Sequence, residues 1–389
     1  MKRVLYTPGP TQLPDEVLEA MARPLIHHRT DEYREKFLEM TRLLQEHVGT
    51  KEPVLTLSCS GSGAMEAAAV NVLSPGDQAL VVEGGKFGDR WRAICQAYGV
   101  TVHLVTVPWG RVATVAQVEA ALAAHPSIKV MFLTHSETST GALFPAHELA
   151  QAAAARGVAT VIDAVTSFGV YDLRFDRSDL AGVVWGSQKG MMIPPGLGFV
   201  CFSARGWELV KQSRLPRFYL DLTKARAALE KGDTPFTPAI SLVLAGRAAM
   251  RLMAAEGLAG VVARHERNAG ATREAVRALG MKLFAEVPSN AVTAVEVPSG
   301  VDGGAVVKTM EARYGVKIAG GQDQLKGKIF RLGHIGYYDE GDILRLVGAF
   351  ESALLDHGMK LEPGTALHAA QASFRGAGVP AHAGAARGA

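Results

Sequence analysis

The 389-residue sequence has few cysteines and no cysteine pair. Its three cysteines, Cys59, Cys95 and Cys201, are widely spaced and form no C-x-x-C motif. An odd number at this spacing can build neither a disulfide framework nor a four-cysteine metal site. We therefore expect reduced thiols, and a cytoplasmic protein.

The sequence also lacks a block of like charges and a long apolar run. The 41 basic and 38 acidic residues are mixed along the chain, with a formal net charge of +3. Proteins that track a phosphate backbone carry a basic patch or stripe, so we expect no nucleic-acid partner. No apolar run approaches the roughly 18 residues of a transmembrane helix, and the N-terminal stretch reaches proline before an apolar signal core could form. We expect no membrane association.

The chain is long and rich in apolar residues, and strand-like and helix-like stretches alternate along it. With 48% hydrophobic residues, we expect two domains. From about residue 50 to 205, apolar runs alternate with alanine-rich stretches of helical spacing. The predicted strands are VLTLS (54–58), QALVVE (78–83), TVHLVTV (101–107), KVMFLTH (129–135), ATVIDA (159–164), GVVWGS (182–187) and GFVCFS (198–203). The pattern predicts an α/β domain whose mostly parallel sheet is covered by helices and binds ligands outside the carboxyl ends of its strands.

A smaller α+β domain is predicted after this block. Helical stretches from residue 240 lead to the predicted strands AVTAVEV (291–297) and KIFRLG (328–333), with a helix between them. The final stretch is rich in Ala and Gly without an apolar period, which is typical of disorder. We divide the chain into an N-terminal segment (1–20), a large domain (21–254), a small domain (255–362) and a disordered tail (363–389).

A glycine- and serine-rich turn joins the first predicted strand to a helix. The stretch from Ser60 to Gly63 runs directly into an apolar helical segment, and the exposed N–H groups at a helix start can bind phosphate. A plain tight turn has the same signature, so this stretch alone leaves both interpretations open. It lacks the Gly-Lys-Ser ending of a Walker loop, and Glu66 breaks the G-x-G-x-x-G dinucleotide pattern.

Asp163 ends the otherwise apolar strand ATVIDA. A carboxylate at this end of a buried strand points into the ligand crevice, where it needs a cationic partner to stay ionised. A helix cap or a structural ion pair is the competing interpretation.

Lys189 lies between two apolar strands, in the stretch VVWGSQKGMMIPPGLGFV. Burial depresses the pKa of a lysine, and the neutral amine that results is a nucleophile able to form a Schiff base with a carbonyl. The alternative is a side chain that extends along the surface to solvent. Ser187 and Gln188 before it and PPGLG after it indicate a polar turn facing the crevice, which favours the chemical role.

A phosphate site, a carboxylate and a buried lysine are together the groups that pyridoxal 5'-phosphate requires. At this point the chain resembles the fold-type I, class V aminotransferases, in the branch of the alanine-glyoxylate and serine-glyoxylate (serine-pyruvate) enzymes. The matching motifs span most of residues 1 to 360: TPGPTQLP, SGSGAMEAAAVNVLSPGD, THSETSTGALFP, VIDAVTSFG, GSQKGMMIPPGLGFV, TPFTPAISL and KIFRLGHIG. The resemblance implies a large domain with a mostly parallel seven-stranded sheet and a smaller C-terminal domain.

The resemblance also implies a role for individual residues. Lys189 would form the Schiff base with the cofactor, and Asp163 would pair with its pyridine nitrogen. The implied phosphate contacts are Ser62, Gly63, Ala64 and Gln188, and Ala64 stands where some relatives carry a histidine, which leaves only its backbone N–H. Phe87 would stack on the cofactor ring, and Thr138 would bond near the ring hydroxyl.

Three further positions follow from the same resemblance. Arg331 would clamp the substrate α-carboxylate through two parallel N–H bonds. Gly9 would lie close to the substrate, so that the N-terminal segment contacts the active site. Thr234 and Thr237, in TPFTP, are both candidates for a phosphate contact donated by the partner subunit of a homodimer.

The resulting hypothesis is ping-pong transamination from alanine or serine to glyoxylate or pyruvate. Aspartate, phosphoserine and ureidoglycine stay open as donors. Other hypotheses are a cysteine desulfurase, which needs an exposed cysteine on a mobile loop, a subunit associated with a hydrogenase, and a cofactor-binding protein without catalysis. The retained lysine, aspartate and arginine argue against loss of catalysis.

Overall fold

The computed structural model describes residues 3–376 of the chain. The strands are β1 Val4–Leu5, β2 Val54–Leu57, β3 Gln78–Glu83, β4 Thr101–Thr106, β5 Ile128–Thr134, β6 Ser136–Glu137, β7 Ala142–Leu143, β8 Ala159–Asp163, β9 Leu180–Gly186, β10 Gly198–Phe202, β11 Val292–Glu296, β12 Val316–Lys317, β13 Ala319–Gly320 and β14 Ile329–Gly333. The α-helices are α1 Asp15–Ala22, α2 Asp31–Val48, α3 Gly61–Val72, α4 Lys86–Ala97, α5 Val115–Ala124, α6 Ala146–Ala154, α7 Ala204–Gln212, α8 Leu222–Leu229, α9 Ile240–Glu256, α10 Leu258–Ala278, α11 Gly303–Tyr314, α12 Glu340–Asp356 and α13 Thr365–Gly376.

The central sheet has seven strands in the order β2-β10-β9-β8-β5-β3-β4. Strand β10 is antiparallel to both of its neighbours, and the other adjacent pairs are parallel. Every residue of β8 and β9 is buried, which explains why these strands are continuous apolar runs rather than alternating ones. The predicted α/β fold with a mostly parallel seven-stranded sheet is confirmed.

Helices cover the sheet on both faces and form two separate apolar cores. One core contains buried residues of α2, α6 and α9, such as Phe37 and Val243, and the other contains residues of α3, α4 and α7, such as Trp91 and Trp207. Because helices cover both faces of the sheet, a ligand is expected to bind at the edge where the parallel strands end and the loops begin.

A second, smaller unit has its own sheet and core. Strands β11, β14 and β13 form an antiparallel sheet in that order, and α10 to α13 contribute to the core packed with it. The chain enters this unit at Gly257, a break between α9 and α10 with φ of 77°. Strand β1 pairs with β12, so the N-terminal segment is tied to the small unit. The exact domain bounds stay a prediction.

The predicted disorder of residues 363–389 is wrong for the first part of that tail. Thr365–Gly376 is helix α13, and its residues Ala366, Ala370 and Phe374 are buried in the small core. These positions repeat every four residues, so the helix gains an apolar face despite its small side chains. Residues 377–389 lie outside the described part of the chain.

Among residues 3–376, the structure contains no helix with the length and apolar character needed to cross a bilayer.

Candidate active site

Lys189 lies in a turn directly after β9, on the sheet edge where the strand ends. Ser187 fixes the turn, because its hydroxyl donates to the Pro194 carbonyl at 2.7 Å and accepts from the Leu197 N–H at 3.2 Å. The Lys189 side chain does not reach solvent, since the residue is only 6% exposed. Its Nζ lies 3.4 Å from the Thr166 hydroxyl.

The surroundings of Lys189 make its amine easier to deprotonate than that of an ordinary lysine. Burial, reinforced by the Arg331 charge, lowers the pKa of Lys189 to about 8, although Asp163 and Glu137 oppose the shift. No carboxylate of the described residues forms an ion pair with Lys189. The fraction of neutral, nucleophilic amine near neutral pH is therefore larger than for an exposed lysine, although the protonated form still predominates at pH 7.

Asp163 is the last residue of β8 and is also buried. Its Oδ1 accepts the Val165 N–H at 2.7 Å and its Oδ2 accepts the Thr134 hydroxyl at 3.3 Å. No α-helix starts there, so Asp163 is not a helix cap. Burial raises the pKa of Asp163 to about 6 against the opposing effect of the Val165 hydrogen bond. The side chain is thus mainly a carboxylate at pH 7.

The glycine- and serine-rich turn starts helix α3 at Gly61. Ser60 precedes the helix without capping it through its side chain, and the first turn holds no acidic residue. The first N–H groups of α3 are therefore free of a side-chain cap and open to an anion. A Cβ on Gly61 would lie 2.7 Å from Val165 Cγ2, so glycine lets the helix start approach the Asp163 strand end.

Two further groups belong to this end of the site. Gln188 has a buried Oε1 without a hydrogen-bond partner among the described residues; this oxygen can only accept a hydrogen bond, so a phosphate contact would come from the side-chain N–H. The Ala64 side chain is buried and adds no donor. Arg90, which the sequence analysis did not single out, donates from Nη1 to the Ser62 hydroxyl at 3.0 Å.

Phe87 is held in place by a buried carboxylate that sequence reasoning also missed. Glu137 accepts the N–H groups of Phe87 at 2.9 Å and Gly88 at 3.1 Å, at the first turn of α4. The Phe87 ring centroid lies 6.0 Å from Lys189 Nζ. The neighbouring Thr138 shares a hydrogen bond of 2.5 Å with the same Thr166 hydroxyl that faces the lysine. Phe87 and Thr138 therefore both border the Lys189 amine.

Arg331 reaches the site from β14 of the small unit. It is 5% exposed, its Nε donates to the Gly320 carbonyl at 2.9 Å, and its Nη1 donates to the Thr138 carbonyl at 3.1 Å. Burial lowers the pKa of Arg331 to about 10, so the group stays cationic at neutral pH. It forms no ion pair with any carboxylate in residues 3–376. Nη1 also donates to Gln322 Oε1 at 3.4 Å, so the buried guanidinium is held by neutral acceptors and is suited to an anionic ligand.

Gly9 lies against the lysine. A Cβ at this position would fall 2.4 Å from Lys189 Cε, and its φ of +132° also favours glycine. The nearby Thr11 hydroxyl donates to the Lys189 carbonyl at 3.2 Å. The N-terminal segment therefore packs directly on the lysine turn.

Within residues 3–376, no hydrogen bond joins Thr234 or Thr237 to Lys189, to Asp163 or to the start of α3. The two threonines line a small cavity with Ser58 and Leu197, and the Thr234 hydroxyl donates to the Phe236 carbonyl at 2.7 Å. Beside them is an aromatic patch that we define as Phe218, Tyr219 and Phe236. Phe218 is 71% exposed, and the Tyr219 and Phe236 rings stack at 4.8 Å.

None of the three cysteines resembles a reactive thiol. Cys201 is in β10, Cys95 is in α4 and Cys59 precedes α3, and all three are free. Burial raises the pKa of Cys59 and of Cys95 to about 12, and raises that of Cys201 as well. The thiolate that desulfuration needs is disfavoured at each position. The described residues also contain no cluster of His, Cys, Asp and Glu that could hold a metal ion.

The comparison with known proteins agrees with this geometry. Residues 3–333 match the family described as Aminotransferase class-V. The chain is 43% identical to the soluble hydrogenase 42 kDa subunit of Anabaena cylindrica, over 92% of this chain and 94% of that protein. It is 35% identical to the serine–glyoxylate aminotransferase of Hyphomicrobium methylovorum, over 95% and 94% of the two chains.

A solved structure supports the same relationship. The aspartate aminotransferase of subgroup IV from Thermus thermophilus superimposes with a TM-score of 0.86 at 36% identity, covering 91% of this chain and 99% of that one. Family match, relatives and fold extend over nearly the whole chain. The protein therefore belongs to the class-V aminotransferases, a family of pyridoxal 5'-phosphate-dependent transaminases.

Proposed function

We propose that this protein transfers the amino group of a small L-amino acid, alanine or serine, to glyoxylate or pyruvate, with pyridoxal 5'-phosphate bound at Lys189. The observation that carries the proposal is the pairing of two buried cations without carboxylate partners, Lys189 and Arg331. A fixed guanidinium can bind the α-carboxylate of an amino acid. A lysine with a lowered pKa can supply the reactive amine beside the amino end.

The residues of the site fit this cofactor. Asp163, ionised at neutral pH, would hold the pyridine nitrogen, and Phe87 and Thr138 would border the ring. The open start of α3, at Ser62, Gly63 and Ala64, together with the side-chain N–H of Gln188, would hold the phosphate. When bound, the cofactor would accept the electrons left at the substrate α-carbon when its proton is removed.

The chain's own residues then divide the remaining work. Arg331 binds the α-carboxylate and thereby orients the α-carbon. Lys189 would hold the cofactor through its amine and, when that amine is free, would accept the α-proton on Nζ and give it up again. Because the same residues serve both half-reactions, donor and acceptor bind in turn, and the kinetics should be ping-pong.

The proposal favours an amino donor with a single carboxylate, because of the positions of the two arginines at the site. Arg331 accounts for one carboxylate, and the other arginine of the site, Arg90, is bonded to Ser62 at the phosphate end. Aspartate is the second candidate donor, because the relative from Thermus thermophilus is described as an aspartate aminotransferase. The relative from Anabaena cylindrica carries a hydrogenase name, so the assay also has to show that transamination takes place at all.

The active unit in this proposal is a homodimer. Thr234 and Thr237 lie beside the exposed aromatic patch, and no hydrogen bond in residues 3–376 joins either of them to Lys189 of their own chain. If a second copy covers the patch, one of the two threonines of each subunit would lie at the phosphate site of the other subunit. The three free thiols support a cytoplasmic location.

A donor screen tests the proposal. The cofactor-loaded protein is mixed with L-alanine, L-serine or L-aspartate without acceptor, and the conversion of the cofactor to its amine form is followed by absorbance. We expect rapid conversion with alanine or serine, and recovery on adding glyoxylate or pyruvate. Arg331→Gln should lower kcat/KM for the donor about 10- to 100-fold, whereas the exposed Arg313→Gln should not. A loaded protein that converts with none of these donors would contradict the proposal.

A further inference from the structure

Arg90 is an arginine of the site without a carboxylate partner. It lies on α4, one turn after Phe87, and its side chain is half-buried. The neighbouring Asp89 pairs with Arg92 instead, and no ion pair of Arg90 occurs within residues 3–376. The contacts that the structure gives its guanidinium are the Ser62 hydroxyl at 3.0 Å and the Phe87 ring, whose centroid lies 4.6 Å away.

The position of Arg90 directs its charge toward the start of α3. Ser62 is the second residue of that helix, so the guanidinium and the open N–H groups of the first turn converge on one place. The Phe87 face supports the guanidinium, which limits its conformations. The charge also reaches the rest of the site, since Arg90 adds a small lowering effect to the pKa of Lys189 and of Asp163, both dominated by burial.

The other groups at this end of the site carry no positive side chain. The first turn of α3 offers Gly61, Ser62, Gly63 and Ala64, and Gln188 is neutral. A phosphate monoester carries between one and two negative charges at neutral pH. Helix N–H groups stabilise part of that charge, and a guanidinium can donate two parallel bonds to it.

We propose that Arg90 binds the phosphate ester of pyridoxal 5'-phosphate together with Ser62 and supplies the positive charge of this phosphate site. The inference rests on the proposed function. It assigns Arg90 to the cofactor rather than to a second carboxylate of the donor. Its guanidinium is bonded to the start of α3, whereas the substrate arginine, Arg331, is bonded to Thr138 and Gly320.

The test compares two ligands that differ only in the phosphate. Cofactor-free protein is titrated with pyridoxal 5'-phosphate and, separately, with pyridoxal, and the dissociation constants are obtained from absorbance. Arg90→Met should weaken binding of the phosphorylated ligand about 10- to 100-fold and leave pyridoxal unchanged. Arg90→Lys, which keeps the charge without the two-pronged geometry, should give an intermediate loss.

The control is Arg92→Met, on the same helix, whose guanidinium pairs with Glu83 and Asp89. It should leave both affinities unchanged. If Arg90→Met weakens the binding of both ligands equally, Arg90 has only a structural role. If it weakens the binding of neither, Arg90 has no role at this site. Either result overturns the inference. If Arg90→Met does not fold, Arg90→Lys decides, because the inference requires it to discriminate between the ligands in the same direction.

A third result would also overturn it: unchanged cofactor affinity with a selective loss of aspartate as donor would assign Arg90 to the substrate. Failure of the proposed function is recognised separately. In that case the loaded wild-type protein would convert with none of the tested donors, whatever the effect of Arg90→Met on cofactor affinity.

Discussion

Lys189 illustrates how a functional residue is maintained at a cost to the stability of the cofactor-free protein. Its ammonium is removed from water without an ion pair, and the pKa falls from 10.5 to about 8, mainly through burial. Between these two values the unfolded chain holds more protons than the folded one. The free energy of unfolding therefore rises with pH across that window, and below it the folded state carries the full penalty.

Replacing this lysine should stabilise the cofactor-free protein. We expect Lys189→Met to raise the free energy of unfolding at pH 7 by roughly 2–4 kcal/mol, with the gain shrinking as the pH rises from 8 toward 10.5. Urea denaturation of both proteins at pH 7 and pH 10 measures the difference. Lys326→Met, at an exposed position, should change little at either pH. A gain of equal size at both pH values would contradict the burial argument.

At the scale of single residues, sequence reasoning identified groups whose chemistry is unusual for their surroundings. Lys189 and Asp163 stand out in apolar strands, and the structure brings both together with Arg331. Arg90 and Glu137 were missed, because an arginine on a polar helix and a glutamate in a polar loop look ordinary in sequence. Their role depends on a partner that folding supplies, as for Arg90 and Ser62, which are 28 positions apart.

The start of helix α4 shows how an element is positioned for the site. Glu137 accepts two N–H groups of its first turn and also the Ser139 hydroxyl at 2.6 Å, so that one buried carboxylate joins the β6 strand to the helix. A negative group at a helix N-terminus is favoured by the helix dipole. The orientation of Phe87 therefore depends on Glu137.

Removing the charge of Glu137 should loosen this junction. We expect Glu137→Gln to lower the free energy of unfolding by about 1–3 kcal/mol, because charge-assisted hydrogen bonds become neutral ones in a buried place. Denaturation curves of the cofactor-free proteins measure the loss. Glu286→Gln, which breaks an exposed ion pair with Arg111, is the control and should cost less than about 1 kcal/mol. Equal losses in the two variants would show that Glu137 has no special structural role.

Among the elements, the seven strands of the main sheet were predicted and α13 was not. Six of these strands are recognisable because they are largely buried apolar runs, whereas the edge strand β4 has one buried residue of six. The composition of the C-terminal stretch suggested disorder, because alanine and glycine contribute little to apolar periodicity. The available signal was the four-residue spacing of Ala366, Ala370 and Phe374.

Helix α13 should contribute measurably to the stability of the small unit. Phe374 is buried against the small core, so Phe374→Ala should lower the free energy of unfolding by about 3 kcal/mol through lost burial and the cavity that remains. The exposed Gln371→Ala on the same helix is the matched control and should be nearly neutral. Thermal denaturation compares the two. An unchanged melting temperature for Phe374→Ala would mean that α13 does not pack as described.

For the molecule as a whole, the aromatic patch bears on assembly. The aromatic patch is exposed on one chain and lies beside the threonines proposed to serve a partner's phosphate site. Large exposed aromatic side chains are enriched at interfaces. The two features are explained together if the patch is covered by a second copy.

Introducing a charge into the patch should separate the subunits. We expect Phe218→Asp to shift the protein from dimer to monomer in size-exclusion chromatography with light scattering, and to weaken cofactor binding because the partner's threonine is lost. Leu104→Asp, an exposed apolar residue on the edge strand β4, should stay dimeric. A monomeric wild-type protein, or a Phe218→Asp variant that remains dimeric, would contradict the assignment of the interface.

The measurement that bears most directly on the whole account is chemical trapping of the cofactor. The loaded protein is reduced with borohydride, digested and mapped by mass spectrometry. We predict a single pyridoxyl modification, on the peptide that contains Lys189, and its loss in Lys189→Ala. A modification at another lysine, or none in a protein that carries the cofactor, would contradict the central claim.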